Sequence, residues 1–109
     1  MPRTLFAAAV AAFVLLSSLP AAAQDVQAGR QRAQACAVCH GPVGLSSAPD
    51  APHLAGQPAL YLVAQLRAYR SGTRRHEVMN VIARGLSDED ITQLSAWYSA
   101  IRIDAQAPQ

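Results

Sequence analysis

Two cysteines and a histidine lie within five consecutive residues, Cys36-Ala-Val-Cys39-His40. Side chains three positions apart on a helix share one face, so the two thiols can reach the vinyl groups on one side of a porphyrin. His40 then presents a ring nitrogen to the iron. Cys-x-x-Cys-His is the attachment signal for haem c. The pattern therefore predicts one covalently bound haem c per chain, with thioether bonds from Cys36 and Cys39 and with His40 as an iron ligand.

Closely spaced cysteines have other uses, and two of them stay open from the residues alone. A Cys-x-x-Cys pair also performs thiol–disulfide exchange, but that chemistry accompanies a βαβ pattern, which this sequence lacks. A structural zinc site needs four ligands; His53 and His76 could complete one, but neither has a finger-like spacing. A structural disulfide between the cysteines would close a tiny loop and stabilise the fold little.

A second axial ligand is expected if the iron only transfers electrons. Met79 is the only methionine after residue 1, and a His/Met pair raises the reduction potential. The sequence places Met79 in an irregular stretch, residues 73–85. Two alternatives stay open: Met79 fills a gap in the core, or His76 is the ligand and lowers the potential.

The N-terminal residues have the features of a targeting segment. Arg3 precedes an apolar run, Leu5–Leu16, and Ala21–Ala23 supplies the small residues that a signal peptidase recognises. The run is shorter than the ~20 residues that cross a bilayer, although an uncleaved anchor is the alternative. We expect residues 1–23 to be a cleaved signal peptide. Residues 24–109 would then form one periplasmic domain without a membrane span.

Composition limits the classes of function. The 109 residues are 51% hydrophobic and 6% aromatic, with a formal charge of +2, and this length allows one domain. All nine basic residues are arginine, and seven acidic residues nearly balance them. Binding of nucleic acid through phosphate neutralisation is therefore not supported. No nucleophile–base pair or paired carboxylates stand out, so we expect no catalytic turnover.

The elements that position these groups are predicted to be helical. Apolar residues recur at helical spacing over Asp25–Val38, with Asp25 as a possible cap. A second helix runs from Pro58 to about Ser71, where Gly72 ends it. The last helix begins at Ser87, because three acidic residues follow this capping serine.

Two long loops separate these helices. Residues 41–57 hold three glycines and three prolines, which are typical of a loop, and residues 73–85 are irregular. No segment alternates with the period of a strand. The sequence therefore predicts an all-α domain of about three to four helices with long loops.

Four stretches in this order resemble a class I c-type cytochrome: Cys-Ala-Val-Cys-His-Gly (36–41), Pro-His-Leu-Ala-Gly-Gln (52–57), Tyr-Leu-Val-Ala-Gln-Leu (61–66) and Gly-Leu-Ser-Asp-Glu-Asp-Ile (85–91). The chain is most similar to one half of the dihaem bacterial cytochromes c4, or to a monohaem relative. The resemblance implies the small class I fold, wrapped around one covalently bound haem. A dihaem protein is excluded because only one attachment signal is present.

The resemblance also implies roles for individual residues. Gly29 would allow the first helix to approach the last one closely beside Trp97 and Tyr98. The backbone carbonyl of Pro52 would accept a hydrogen bond from His40 Nδ1, and Met79 matches the iron-binding methionine. This chain departs from its relatives at two positions: Ile82 replaces a frequent second methionine, and His53, which we expect to be an exposed loop residue, replaces a lysine.

These features predict a periplasmic one-electron carrier, not an enzyme, that meets redox partner proteins through transient contacts near the haem edge. An arginine cluster could steer acidic partners or pair with haem propionates, or could be a solvated helix face; it comprises Arg67, Arg70, Arg74 and Arg75. One alternative is an electron-accepting haem subunit of a periplasmic dehydrogenase or oxidase complex. Another is a haem sensor or enzyme with an open iron position.

Overall fold

The computed structural model describes residues 19–109, which are all helix and loop. The predicted apolar run Leu5–Leu16 lies outside the described residues. Five α-helices follow one another: α1 (Ala21–Arg32), α2 (Ala37–His40), α3 (Ala59–Ser71), α4 (Glu77–Arg84) and α5 (Asp88–Ala100). The predicted all-α class is confirmed.

The first helix differs from the predicted Asp25–Val38. It begins four residues earlier, after Pro20, and Asp25 is not its cap. It tightens into a 3₁₀ turn, Ala33–Cys36, before the short α2 continues to His40. Ala21–Ala23, the predicted cleavage segment, forms the first turn of α1 because alanine is the strongest helix former; cleavage itself stays a prediction.

The predicted limits of α3 and the predicted start of α5 are confirmed. Pro58 precedes α3, and Gly72 ends it with φ +84°, a left-handed conformation that glycine adopts without strain. The Ser87 hydroxyl accepts a hydrogen bond from the backbone N–H of Asp90, whose carboxylate accepts one from Ser87 N–H. This reciprocal pair satisfies two backbone donors that a helix start leaves free.

The irregular stretch predicted for residues 73–85 is wrong, because Glu77–Arg84 forms α4. Met79 therefore lies in the first turn of a helix and not in a loop. The start of α4 is capped by His76, whose Nδ1 accepts hydrogen bonds from the backbone N–H groups of Val78 and Met79. Histidine is not among the usual capping residues, so the sequence carried no recognised start signal here.

The core forms where α1 packs on α5 and α3 packs on α5. Ala33, Leu62, Leu94 and Tyr98 are buried together, and Ile91 is fully buried. A Cβ atom on Gly29 would overlap the backbone carbonyl of Gln93 and lie 2.8 Å from Trp97 Cβ. The two helices thus touch backbone to backbone at this glycine.

Polar groups also join α1 to α5. Arg32 donates to Gln93 Oε1 and forms an ion pair with Asp90. In the part of the chain that the structure describes, no helix is both long enough and apolar enough to cross a bilayer.

We expect Gly29→Ala to lower the free energy of unfolding by about 1–3 kcal/mol, the usual cost of overpacking, although alanine is the better helix former. The measurement is chemical denaturation followed by circular dichroism. Gly85→Ala is the matched control, because a Cβ there would have 3.7 Å to its nearest neighbour, the Ile82 carbonyl oxygen. Equal stability of the two variants would contradict the close helix contact.

The capping box at α5 predicts a pH dependence of stability. The backbone hydrogen bond from Ser87 is the main reason why the pKa of Asp90 lies below its usual 3.8, and Arg32 lowers it further. The ionised carboxylate therefore stabilises the fold above about pH 4, and this contribution is lost as the pH falls through the lowered pKa.

Asp90→Asn is consequently expected to be less stable than the parent at pH 7, with a gap that narrows toward pH 3. Denaturation midpoints at the two pH values measure this. Asp104→Asn, in the exposed tail after α5, is the control and should match the parent at both. A gap that is constant or widens in acid would show that the charge of Asp90 contributes nothing.

Candidate functional site

The attachment segment, Cys36–His40, consists of the last residue of the 3₁₀ turn and the whole of α2. Cys36 and Cys39 therefore lie one helical turn apart. Both thiols are free; Cys36 is half-buried against the core and Cys39 is exposed. Burial raises the pKa of the Cys36 thiol, and the neighbouring Cys39 adds to the rise, whereas the polar Tyr98 hydroxyl beside the thiol opposes it. One thiol thus faces the protein interior and the other faces solvent.

The His40 imidazole is held in one orientation. The side chain is only 8% exposed, and its Nδ1 lies 2.9 Å from the carbonyl oxygen of Pro52. A carbonyl oxygen only accepts, so Nδ1 carries the proton and donates. The Nε2 lone pair is thereby left available for a metal, the arrangement that a hydrogen-bonded carbonyl imposes on ligating histidines.

The loop of residues 41–57 positions Pro52 through polar contacts. The Ser46 hydroxyl donates to the backbone oxygen of Cys39 at 2.8 Å, and the Ser46 N–H donates to His53 Nδ1 at 2.8 Å. The loop is also tied to α5, because Gly56 N–H donates to the Tyr98 carbonyl at 2.8 Å. The sequence did not identify Ser46, because the backbone atoms that a serine hydroxyl in a loop will contact cannot be read from the loop sequence.

His53 and His76 have separate places in the fold. His53 is exposed, as expected, and cross-links the loop through Ser46. His76 is exposed and caps α4. Within residues 19–109 no three histidine, cysteine or acidic side chains are grouped as metal ligands, so the zinc interpretation finds no ligand set there.

Met79 is half-buried in α4, on a helix separate from the attachment segment. Its position relative to that segment depends on α3, because α4 packs on α3 and α3 packs on α5. Three apolar neighbours on α4 leave large surfaces exposed: Val78 at 47%, Val81 at 64% and Ile82 at 50%.

The residues present fit a haem c. Two free thiols at the spacing of the attachment signal, an imidazole with a free Nε2 and a thioether form the donor set that covalent haem binding uses. The exposed apolar side chains of α4 provide surface that a macrocycle can cover. The chain thus offers both the ligands and the apolar contact area of such a site.

The arginine cluster is largely engaged within the protein. Arg70 donates to Asp88 at 2.6 Å and to the Leu86 carbonyl at 3.0 Å, and its hydrogen bond holds the pKa of the Asp88 carboxyl below its usual value. Arg74 stacks over the Tyr69 ring at 4.6 Å and donates to Gln65. Arg75 lines an open cavity of about 650 Å³ between the end of α3 and α4.

Comparison with known proteins agrees with this geometry. The model of the family described as "Cytochrome c" matches residues 26–100. The chain is 43% identical over 81 residues to cytochrome c-554(548) of Halomonas halodenitrificans, covering 72% of this chain and 98% of that protein. It is 41% identical over 69 residues to the thiosulfate dehydrogenase electron acceptor of Stutzerimonas stutzeri, covering 61% of this chain and 32% of that protein.

A solved structure is also similar. The cytochrome c4 of Acidithiobacillus ferrooxidans superposes with a TM-score of 0.68 at 29% identity, covering 71% of this chain and 49% of that chain. The chain thus spans nearly the whole of the first relative but about half of the c4 chain and a third of the thiosulfate dehydrogenase electron acceptor.

The Tyr98 hydroxyl is buried beside Cys36 and has no hydrogen-bond partner among the described residues. Burial is the main reason that its pKa is raised, with Cys36 adding to the rise. We therefore expect Tyr98→Phe to change the free energy of unfolding by less than about 1 kcal/mol, because no hydrogen bond is lost. Tyr98→Leu, which removes packing, should cost roughly 2–4 kcal/mol. Denaturation of the three proteins measures both; a large loss in Tyr98→Phe would reveal a partner for the hydroxyl.

Proposed function

Because the chain belongs to the cytochrome c family of electron-transfer proteins, whose members bind haem c covalently, we propose that it is a periplasmic one-electron carrier with one haem c. Cys36 and Cys39 hold the group through thioether bonds. His40 and Met79 are the axial ligands of the iron. When bound, the haem supplies the one-electron Fe(III)/Fe(II) couple.

The observation that carries the proposal is the hydrogen bond from His40 Nδ1 to the Pro52 carbonyl oxygen, 2.9 Å long. It fixes the tautomer and turns the basic Nε2 away from the loop. A ring held in this way would keep its orientation whether or not a bound metal gained an electron. Little structural rearrangement then accompanies electron transfer.

The two cysteines that attach the haem differ in their burial. Cys36, packed against the core, would form its thioether bond on the interior side of the segment. Cys39, exposed at the surface, would form the other bond near solvent. With both thiols in thioether bonds, disulfide exchange is no longer open to this segment.

The position of His76 supports Met79 as the second axial ligand. The His76 Nδ1 accepts hydrogen bonds from Val78 N–H at 3.3 Å and Met79 N–H at 3.2 Å. Because Nδ1 accepts, a neutral His76 ring carries its proton on Nε2, so neither ring nitrogen offers a lone pair to a metal while the ring caps α4. The thioether is the remaining soft donor on that helix, and with His40 it raises the reduction potential.

Export is part of the proposal. Residues 1–23 have the charge, apolar run and small-residue cleavage pattern of a signal peptide. Haem attachment through paired cysteines suits an exported domain. The cysteines would then be consumed by the cofactor and escape oxidation to a disulfide in an oxidising compartment.

Redox partners are implied by the relatives, and we propose that this chain meets them through transient contacts near the haem edge. Electron-transfer encounters are typically small and weak. Arg70 is paired with Asp88, whereas Arg74, Arg75 and Arg84 have no ion pair among the described residues, and their positive charge beside α4 draws an acidic partner closer.

A second candidate function has a specific observation in its favour. The relative from Stutzerimonas stutzeri is named as the electron acceptor of thiosulfate dehydrogenase, so this chain could serve as the electron-accepting subunit of a periplasmic dehydrogenase. Affinity purification at low and high salt separates the two functions. A stoichiometric oxidoreductase partner retained at both salt concentrations favours the subunit, and isolation of the chain alone at both favours the free carrier.

The axial ligand is tested by Met79→Ala. We expect the ferric protein to show the weak far-red absorption band of thioether ligation and the ferrous protein to resist carbon monoxide. Met79→Ala should lose the band and bind carbon monoxide readily, because the iron then has an open position.

His76→Asn is the matched control, since asparagine is a good helix cap but offers no imidazole. It should keep the band. Absence of the band in the parent, together with carbon monoxide binding that increases in His76→Asn but not in Met79→Ala, would identify His76 as the ligand. Rapid carbon monoxide binding by the unmutated protein would indicate an open-site sensor or enzyme instead.

A further inference from the structure

Helix α4 has little apolar burial to hold it in place. Ala83 is the one buried residue of α4, and the helix packs on α3. The cavity of about 650 Å³ opens between the end of α3 and α4, so part of the space between these two helices is not filled by side chains. The placement of α4 must therefore depend on other interactions.

Asn80 supplies such interactions with a single amide group. Its Nδ2 donates to the Tyr69 carbonyl oxygen at 2.7 Å and to the Arg74 carbonyl oxygen at 2.8 Å. Its Oδ1 accepts from the His76 N–H at 2.7 Å. Both amide donors are used, and the side chain joins the last turn of α3, the connection and the residue that caps α4.

A backbone hydrogen bond and the cap also join Asn80 and its neighbours to His76. The His76 carbonyl oxygen accepts from Asn80 N–H at 3.0 Å, and the His76 ring caps the N–H groups of the first turn. Met79 lies directly before Asn80 and is one of the residues capped. The polar contacts around Asn80 thus fix the position of the Met79 backbone, from which the thioether side chain extends.

We propose that Asn80 is the positioning residue for the Met79 thioether, holding α4 against the end of α3 so that the sulfur stays within reach of the iron. The inference rests on the proposed ligation by Met79. A thioether is a neutral ligand that is lost if its helix moves away. Three side-chain hydrogen bonds at the first turn oppose that movement more directly than the exposed apolar residues of α4 can.

The test compares the haem-loaded parent with Asn80→Ala, Asn80→Asp and Ser71→Ala. Asn80→Ala removes all three side-chain hydrogen bonds. Asn80→Asp keeps the acceptor for His76 N–H but replaces both donors by oxygen, which repels the carbonyl oxygens of Tyr69 and Arg74. Ser71→Ala is the matched control, because the Ser71 hydroxyl also makes three hydrogen bonds in this connection, to Ala68 and Thr73, but none to α4.

Both Asn80 variants are expected to weaken or lose the far-red band while haem content and helicity stay at the parent's level. Their rate of carbon monoxide binding in the ferrous state should rise roughly ten- to a hundredfold, the change expected from losing two or three hydrogen bonds of ordinary net strength. Ser71→Ala should retain the parent's band and rate. Where Asn80→Ala takes up no haem, Asn80→Asp decides.

An unchanged band and rate in both Asn80 variants would overturn the inference, and so would an equal loss in Ser71→Ala. Failure of both Asn80 variants to take up haem would also count against it, because it would show a general role in folding. If the parent itself has no Met79-dependent band, the proposed ligation fails and the inference falls with it. The two failures are therefore distinguishable.

Discussion

The hydrogen bond between His40 Nδ1 and the Pro52 carbonyl oxygen ties the chemistry of this protein to its architecture. One partner ends the helical path that begins at α1, and the other lies in the loop of residues 41–57. That loop is held in turn by Ser46 at the Cys39 carbonyl and by Gly56 at the Tyr98 carbonyl. The imidazole orientation thus depends on α2, the loop and α5 being assembled together. A hydrogen bond of this kind fixes the tautomer of a ligating histidine and raises the basicity of its other ring nitrogen.

The two sides of the site are built on different principles. The attachment segment is joined to a packed core in which α1 and α5 meet at Gly29 and the Cys36 side chain contacts buried residues. Helix α4, which carries Met79, has one buried residue and is held by the cap from His76 and the amide of Asn80. Apolar burial is diffuse and tolerant, whereas a hydrogen bond demands a defined geometry. Met79, the weaker of the two proposed ligands, therefore lies on the helix whose position depends more on hydrogen bonds than on apolar burial.

The sequence predicted the parts of this structure whose signals are local. Gly72 after α3 and Ser87 with the three acidic residues that follow it are boundary signals within a few residues, and both boundaries lie where they were predicted. The Cys36–His40 pattern is equally local. The start of α1 was predicted four residues too late, because Pro20 and the alanines after it had been assigned to the targeting segment. Helix α4 was missed because a histidine caps it and because most of its apolar side chains stay exposed. Ser46 and Asn80 could not be found, since their partners are backbone atoms brought near only by folding.

The packing of α1 on α5 joins the first and last of the described helices, so the contacts between them are distant in sequence. The backbone contact at Gly29 has no counterpart until α5 has been synthesised, so the core cannot close on a partly made chain. Formation of contacts this distant in sequence is slow because a long loop must be closed first. Because α1 and α5 cannot enclose the segment Cys36–His40 until the last helix has been made, both of its thiols stay accessible for as long as the chain is incomplete.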